Sequence, residues 1–274
     1  MADLRLDGPV QETLLLTMYA RAMDARAVVP ILGDTASLEL ARSIAYDYRR
    51  LKLSASTRCG TALRARALDE AVRAFTAAHP DAVVLDLGCG LDTRYRRCTP
   101  PPGVDWYDVD LPEVIALRSA HLPDGPGTHA VAADVTAPGW SAALPGDRPA
   151  IIVAEGLLPF LPPGAFPAAM RELTGRFPYG ELALNGYTRP AARLMKFHPS
   201  IRALGITAAE GFDDAREPED WGAGLVLEEE RLLVRSPEVA LFPPPLRTLT
   251  RAMAVSTWMS RQGARVLRYR FGSA

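Results

Sequence analysis

Two glycines one residue apart close the apolar run Val83–Leu91, Val-Val-Leu-Asp-Leu-Gly-Cys-Gly-Leu, and Asp92-Thr93-Arg94 follow. A run of this kind with turn residues after it reads as a buried strand of a parallel sheet. Gly88 and Gly90 let the chain turn sharply there and put no Cβ in the way of a ligand. A nucleotide-like group can lie against such a backbone; a tight turn with no ligand is the plainer alternative. A second stretch, Trp106-Tyr107-Asp108-Val109-Asp110-Leu111-Pro112, reads as a strand ending in an acid. Asp110 stands 20 residues after Gly90. A βαβ unit places there the carboxylate that accepts hydrogen bonds from ribose hydroxyls. Asp108 and Asp110 share one face of the strand. Ligands collect outside the carboxyl ends of strands, which favours Asp110. Its other available role is to cap the helix beginning near Pro112.

The dinucleotide fingerprint asks for a third glycine three residues after the second. Thr93 holds that position, which weakens the case for a nicotinamide cofactor. A ligand with adenosine but no pyrophosphate demands less of the loop, and S-adenosylmethionine leads. A nicotinamide-dependent oxidoreductase and a non-catalytic binding module are the rival readings.

Three blocks occur in order: Asp86-Leu87-Gly88-Cys89-Gly90-Leu91-Asp92-Thr93-Arg94, Trp106–Pro112, and Ala154-Glu155-Gly156-Leu157-Leu158. Together they resemble the leucine carboxyl methyltransferase family, and within it the bacterial polyketide O-methyltransferase branch. Glu12-Thr13-Leu14-Leu15 and Tyr19-Ala20-Arg21-Ala22 resemble that branch too. The resemblance implies that S-adenosyl-L-methionine is held by Arg64, Asp86, Gly88, Gly90, Asp110, Leu111, Asp134, Val135 and Glu155. Arg64 would bind the carboxylate of its methionine part, as a guanidinium fork matches a carboxylate. Asp134 and the Val135 N–H would hold the adenine; on its own Asp134 also suits a turn. Glu155 follows the buried run Ile151-Ile152-Val153-Ala154. An unpaired buried charge is costly, so it would orient the cofactor, or else pair with a nearby arginine. The implied acceptor is a small molecule of secondary metabolism, an aromatic polyketide carboxylate or a phenol. A carboxylate needs no base; a phenol, with a pKa of about 10, gains from one. His198 is the candidate base, against a plain surface role.

The wider chain must position these groups. Its 274 residues are 48% hydrophobic, ample for a core, with Lys+Arg 31 against Asp+Glu 32. That balance argues against nucleic acid as a partner. Four histidines and three cysteines, Cys59, Cys89 and Cys98, show no metal-ligand spacing. The odd cysteine count, the lack of a signal peptide and the lack of a membrane-spanning run point to the cytoplasm. Monomer and homodimer both stay open.

The expected fold class is α/β, a doubly wound, mostly parallel Rossmann-like sheet with an antiparallel last strand and an N-terminal helical lid. Residues 1–80 form the lid region, 81–190 the cofactor-binding core, and 191–274 the acceptor-side helices and final strands of a single domain. Strands are expected at 82–87, 106–109, 129–133, 150–154, 181–187, 225–234 and 265–271. Helices are expected at 61–78, 113–121, 166–177, 190–204 and 247–262. Before them, Leu14, Leu15, Met18 and Ala22, then Leu38, Ala41, Ala45 and Tyr48, recur at helical spacing, with Asp34 or Thr35 as a cap. Trp221, Phe242, Met253 and Trp258 are expected in the core or around the acceptor.

Overall fold

The computed structural model describes residues 9–195, 197 and 210–273. Seven strands form one sheet: β1 (Val83–Leu87), β2 (Asp105–Asp110), β3 (Thr128–Ala132), β4 (Ala150–Ala154), β5 (Tyr179–Gly186), β6 (Val226–Leu232) and β7 (Arg265–Gly272). Their order is β3-β2-β1-β4-β5-β7-β6. Only β7 runs against the rest: it pairs antiparallel with both β5 and β6. The chain winds from β1 outward to β3, then returns to β4 beside β1, so a topological switch point lies between β1 and β4. Open α/β sheets bind ligands outside such a point.

All five residues of β1 and of β4 are buried, because helices cover both faces. On one face, Val83, Leu85 and Ile152 pack with Phe166, Met170 and Leu173 of α6 (Ala165–Arg176). On the other, Val84, Ile151 and Val153 pack with Leu68, Val72 and Phe75 of α3 (Ala55–Ala78). α3 covers the sheet, and only α1 (Pro9–Ala25) and α2 (Thr35–Ser43) lie over the strand ends, through Leu15, Met18, Leu40 and Ile44 against Leu91 and Leu117. α3 begins six residues before the expected start, because Ser54 caps it by accepting from the Thr57 N–H.

Asp34 caps α2, accepting from the Ser37 N–H. The fully buried residues of α2 are Ser37 and Leu40, with Ile44 just after it; of the expected Leu38, Ala41, Ala45 and Tyr48, Ala41 and Tyr48 pack half-buried against the same cluster, Ala45 is exposed, and Tyr48 opens a separate 3-10 turn, Tyr48–Leu51. The cap explains the burial of Ser37, since Asp34 and Ser37 both bond inward to Thr93. α4 (Arg94–Cys98) and α5 (Pro112–His121) follow β1 and β2. α7 (Arg189–Met195) begins the helix expected at 190–204; His198 lies outside the described residues. The helix expected at 247–262 is two, α8 (Pro244–Ala254) and α9 (Thr257–Arg261), because Ser256 takes an extended backbone between them. Phe242 is buried and Trp221 packs edge-on against Phe166 and Phe212, but Trp258 is 71% exposed and belongs to no core.

Strand contact sets one sharp constraint. A Cβ on Gly180 of β5 would sit 1.8 Å from the Ala150 carbonyl oxygen. Gly180→Ala is expected to cost at least about 1–3 kcal/mol through overpacking, read as a lower urea midpoint. Gly175→Ala in α6, where a Cβ meets open space, is expected to be neutral or to gain up to about 1 kcal/mol. Equal midpoints for the two variants would refute this account.

Candidate active site

Three strand ends meet in one row. Leu87 is in register with Val109 on one side and Ala154 on the other. The next residues, Gly88, Asp110 and Glu155, therefore stand side by side at the mouth of the sheet. Gly88 and Gly90 have φ of +63° and +50°, a region that glycine enters without a Cβ penalty. Leu157 and Leu14 lie over the two glycines. The Gly88 and Cys89 N–H groups donate to the Val109 carbonyl at 2.8 and 3.2 Å, which pins the turn to β2.

Asp110 accepts from the Gly90 N–H and from the Leu111 N–H, both at 2.8 Å. Burial raises its carboxyl above the ordinary value against those two donors. It does not cap α5, whose N-cap is Leu111. Asp108 has a different task. It accepts from Arg118 Nε and Nη2 at 3.1 and 2.6 Å, and Arg118 Nη1 donates to the Gly90 carbonyl at 3.2 Å. Asp108 thus anchors a clamp on the glycine loop. Asp134 follows β3 and is exposed; its carboxylate accepts from the Thr136 N–H and hydroxyl at 2.8 and 2.7 Å, the geometry of a turn. The Val135 side chain is buried in the core.

On the far side of the glycines, Glu155 accepts from Arg64 Nε at 2.8 Å and from Arg94 Nη2. Burial pushes the Glu155 carboxyl up, but Arg64 and Arg94 outweigh it and hold it below the usual range. Arg64 makes no other hydrogen bond among the described residues. Asp86 is placed one row below the mouth, 2% exposed, with Arg94 Nη1 at 3.3 Å. It faces the arginine rather than the cleft. The pattern therefore splits the predicted residues. Asp110, Leu111, Asp134 and Val135 lie toward β2 and β3, Arg64 and Glu155 toward β4, and the glycines between them.

The family model of leucine carboxyl methyltransferases matches residues 14–174. The chain belongs to the leucine carboxyl methyltransferase family. It is a methyltransferase that uses S-adenosylmethionine. Over 268 residues it is 38% identical to the tetracenomycin polyketide synthesis O-methyltransferase of Streptomyces glaucescens, covering 98% of each chain. An S-adenosyl-L-methionine-dependent methyltransferase of Gibberella zeae is 30% identical over 246 residues, covering 82% of each. In fold, this methyltransferase is similar to a Thermobifida fusca protein described as a methyltransferase, with a TM-score of 0.54, 20% identity and coverage of 93% and 94%.

Sequence reasoning missed the ions beneath the site. Arg94, 1% exposed, donates to Asp69, Asp86, Asp92 and Glu155. Arg97 donates to Asp69, Asp92 and Asp34. The available signal was three charged residues, Asp92, Arg94 and Arg97, directly after a buried strand.

Burial pushes the Asp86 carboxyl up to about 7; Asp92 and Asp108 add to this, against Arg94 and Arg118. The unfolded value is about 3.9. A raised folded value means that the folded state holds the extra proton between those two pH values. Stability from this group is then full below about pH 4 and is lost as pH rises toward 7. Measured against Asp86→Asn, the native chain is expected to lose up to about 1.4 kcal/mol per pH unit over that window and to run parallel above it. Urea midpoints for both proteins from pH 5 to 8 check this; a constant difference would show that Asp86 is ionised throughout.

Proposed function

We propose that this methyltransferase places a methyl group on an oxygen of a small aromatic acceptor of polyketide type, a carboxylate or a phenol. The carrying observation is the row Asp110, Gly88 and Glu155 at the switch point, with Arg64 on Glu155. The residues fit S-adenosylmethionine. Gly88 and Gly90 offer backbone with no Cβ, Asp110 offers a carboxylate to ribose hydroxyls, and Arg64 offers its unused guanidinium N–H groups to a carboxylate. Leu111, Asp134 and the Val135 N–H would border the adenine. Glu155 would orient the cofactor, held from below by Arg94, while Asp86 supports Arg94 rather than touching the ligand. The polyketide acceptor rests on the name of the Streptomyces glaucescens relative.

Bound there, the cofactor supplies a methyl already activated on a sulfonium. The chain has only to present the acceptor oxygen in line and exclude water, which can supply roughly 7–11 kcal/mol at its upper end. A carboxylate is ionised at neutral pH and needs no base, so a methyl ester is the expected product. For a phenol, His198 would take the proton. The enzyme would work in the cytoplasm, where its three buried free cysteines stay reduced.

Asp110→Ala is expected to weaken binding of S-adenosylhomocysteine by about 1–3 kcal/mol, the cost of losing charged hydrogen bonds. Calorimetry measures it; unchanged affinity would remove Asp110 from the site. Labelled methyl groups offered with a panel of aromatic acids and phenols test the reaction itself. Base-labile label on an acid is the expected result, base-stable label would assign the phenol, and no transfer to any compound would refute O-methylation.

A further inference from the structure

The row at the mouth of the sheet has a fourth member. Leu184 of β5 is in register with Ala154 of β4, so the next residues, Asn185 and Glu155, stand side by side. Asn185 shares a strand face with Ala183, and Ala183 packs on the α3 side of the sheet. Glu155 turns the same way, since it accepts from Arg64 of α3. Burial lowers the Arg64 pKa, while Glu155 and then Tyr187 raise it, and the net is a rise. The end of β5 therefore borders the same guanidinium as the end of β4.

Asn185 is 3% exposed, and its side-chain carbonyl accepts from the Gly156 N–H. That contact fixes the carboxamide, because a backbone N–H can face only its oxygen. Nδ2 is then turned away from Gly156. It donates to nothing among the described residues, yet protein atoms do not seal it off, as they do the Tyr48 hydroxyl. Buried polar groups are nearly all hydrogen-bonded, so an oriented, reachable and unpaired donor marks a ligand contact. Gly156 leaves room for one. Its φ of +71° favours glycine, and among the described residues a Cβ there would meet nothing within 4 Å.

We propose that Asn185 holds the reacting group of the methyl acceptor, its Nδ2 donating to the carboxylate oxygen that does not react. The proposal rests on the methyl-transfer reading above. A carboxylate has two oxygens, so one stays on the donor while the other attacks. A lone pair of the second oxygen forms the new C–O bond as the methyl carbon–sulfur bond breaks, and the pair from that bond goes to sulfur. Glu155 is held ionised beside this spot. A second anion there is tolerable only with a donor to offset the repulsion, and Asn185 supplies one that has no proton to lose. Its bond to Gly156 ties that donor to the residue after Glu155, so the contacts to acceptor and cofactor keep one spacing.

The test uses the isotope-labelled full chain saturated with S-adenosylhomocysteine and titrated with benzoate as the carboxylate probe. The Asn185 side-chain amide signals, assigned by correlation to its backbone, are expected to move downfield as benzoate binds, a shift that a purely structural asparagine would not show. Asn185→Asp keeps an oxygen for the Gly156 N–H and removes the donor. It is expected to weaken benzoate by about tenfold or more, the usual loss for a hydrogen bond to a charged group, with S-adenosylhomocysteine affinity unchanged. Benzoate that fails to bind, leaves the Asn185 signals in place, or binds the variant as well as the native chain overturns the role of Asn185 alone. A folded variant that also loses S-adenosylhomocysteine overturns it too, by putting Nδ2 on the cofactor. Should the variant not fold, the shift in the native chain decides by itself. Failure of the native protein to bind S-adenosylhomocysteine overturns the methyl-transfer reading instead.

Discussion

A guanidinium shut away from water is the constraint on which the site depends. Arg94 touches carboxylates from four places: Asp69 on α3, Asp86 on β1, Asp92 in the glycine loop and Glu155 at the mouth of β4. A buried cation is tolerable only when paired and hydrogen-bonded, and removal of one member of such a pair costs about 3–5 kcal/mol. Because its partners come from separate elements, Arg94 holds those elements at one spacing. Arg97 carries the network to Asp34 at the start of α2, and Arg21 of α1 reaches both Asp34 and Asp92. α1 and α2 are thus tied to the glycine loop by ions as well as by leucines.

Arg21, Arg64, Arg73, Arg94 and Arg97 face Asp34, Asp69, Asp86, Asp92 and Glu155. Burial pushes the Asp86 carboxyl up, and Asp92 and Asp108 add to this, against Arg94 and Arg118. Asp92 is the opposite case. Burial pushes it up, but Arg21, Arg97 and Arg94 surround it and keep it well below the ordinary range. Glu155 stays ionised for the same reason. The carboxylate at the cleft is kept charged by the arginines on either side, and burial draws the one beneath them toward its protonated form.

Much of this could be read along the chain. The parallel strands were visible because buried strands are continuous apolar runs, and all seven strands of the sheet were placed to within two residues. Asp110 was separable from Asp108 by position alone, since only the later residue reaches the strand's mouth. The face of α2 was read in part: Ala41 and Tyr48 do pack inward, but Ser37 was missed, because periodicity reports which residues are apolar and not which cap is bonded inward. The break between α8 and α9 was missed because Val255-Ser256 contains neither glycine nor proline. Trp258 was expected inside, as large aromatics usually are, and stands in solvent.

The sequence by itself determined the strand pattern, the glycine turn, the acid at its distance from it, and the family to which these belong. Such features are local: a few adjacent residues set backbone freedom, periodicity and spacing. Only the tertiary structure decided that Asp69, 25 residues before Arg94, and Glu155, 61 residues after it, share one guanidinium. It also decided that Tyr19 stacks on Tyr48. An arginine's charge can be read from the chain, but its partners are chosen by the fold that removes water from around it.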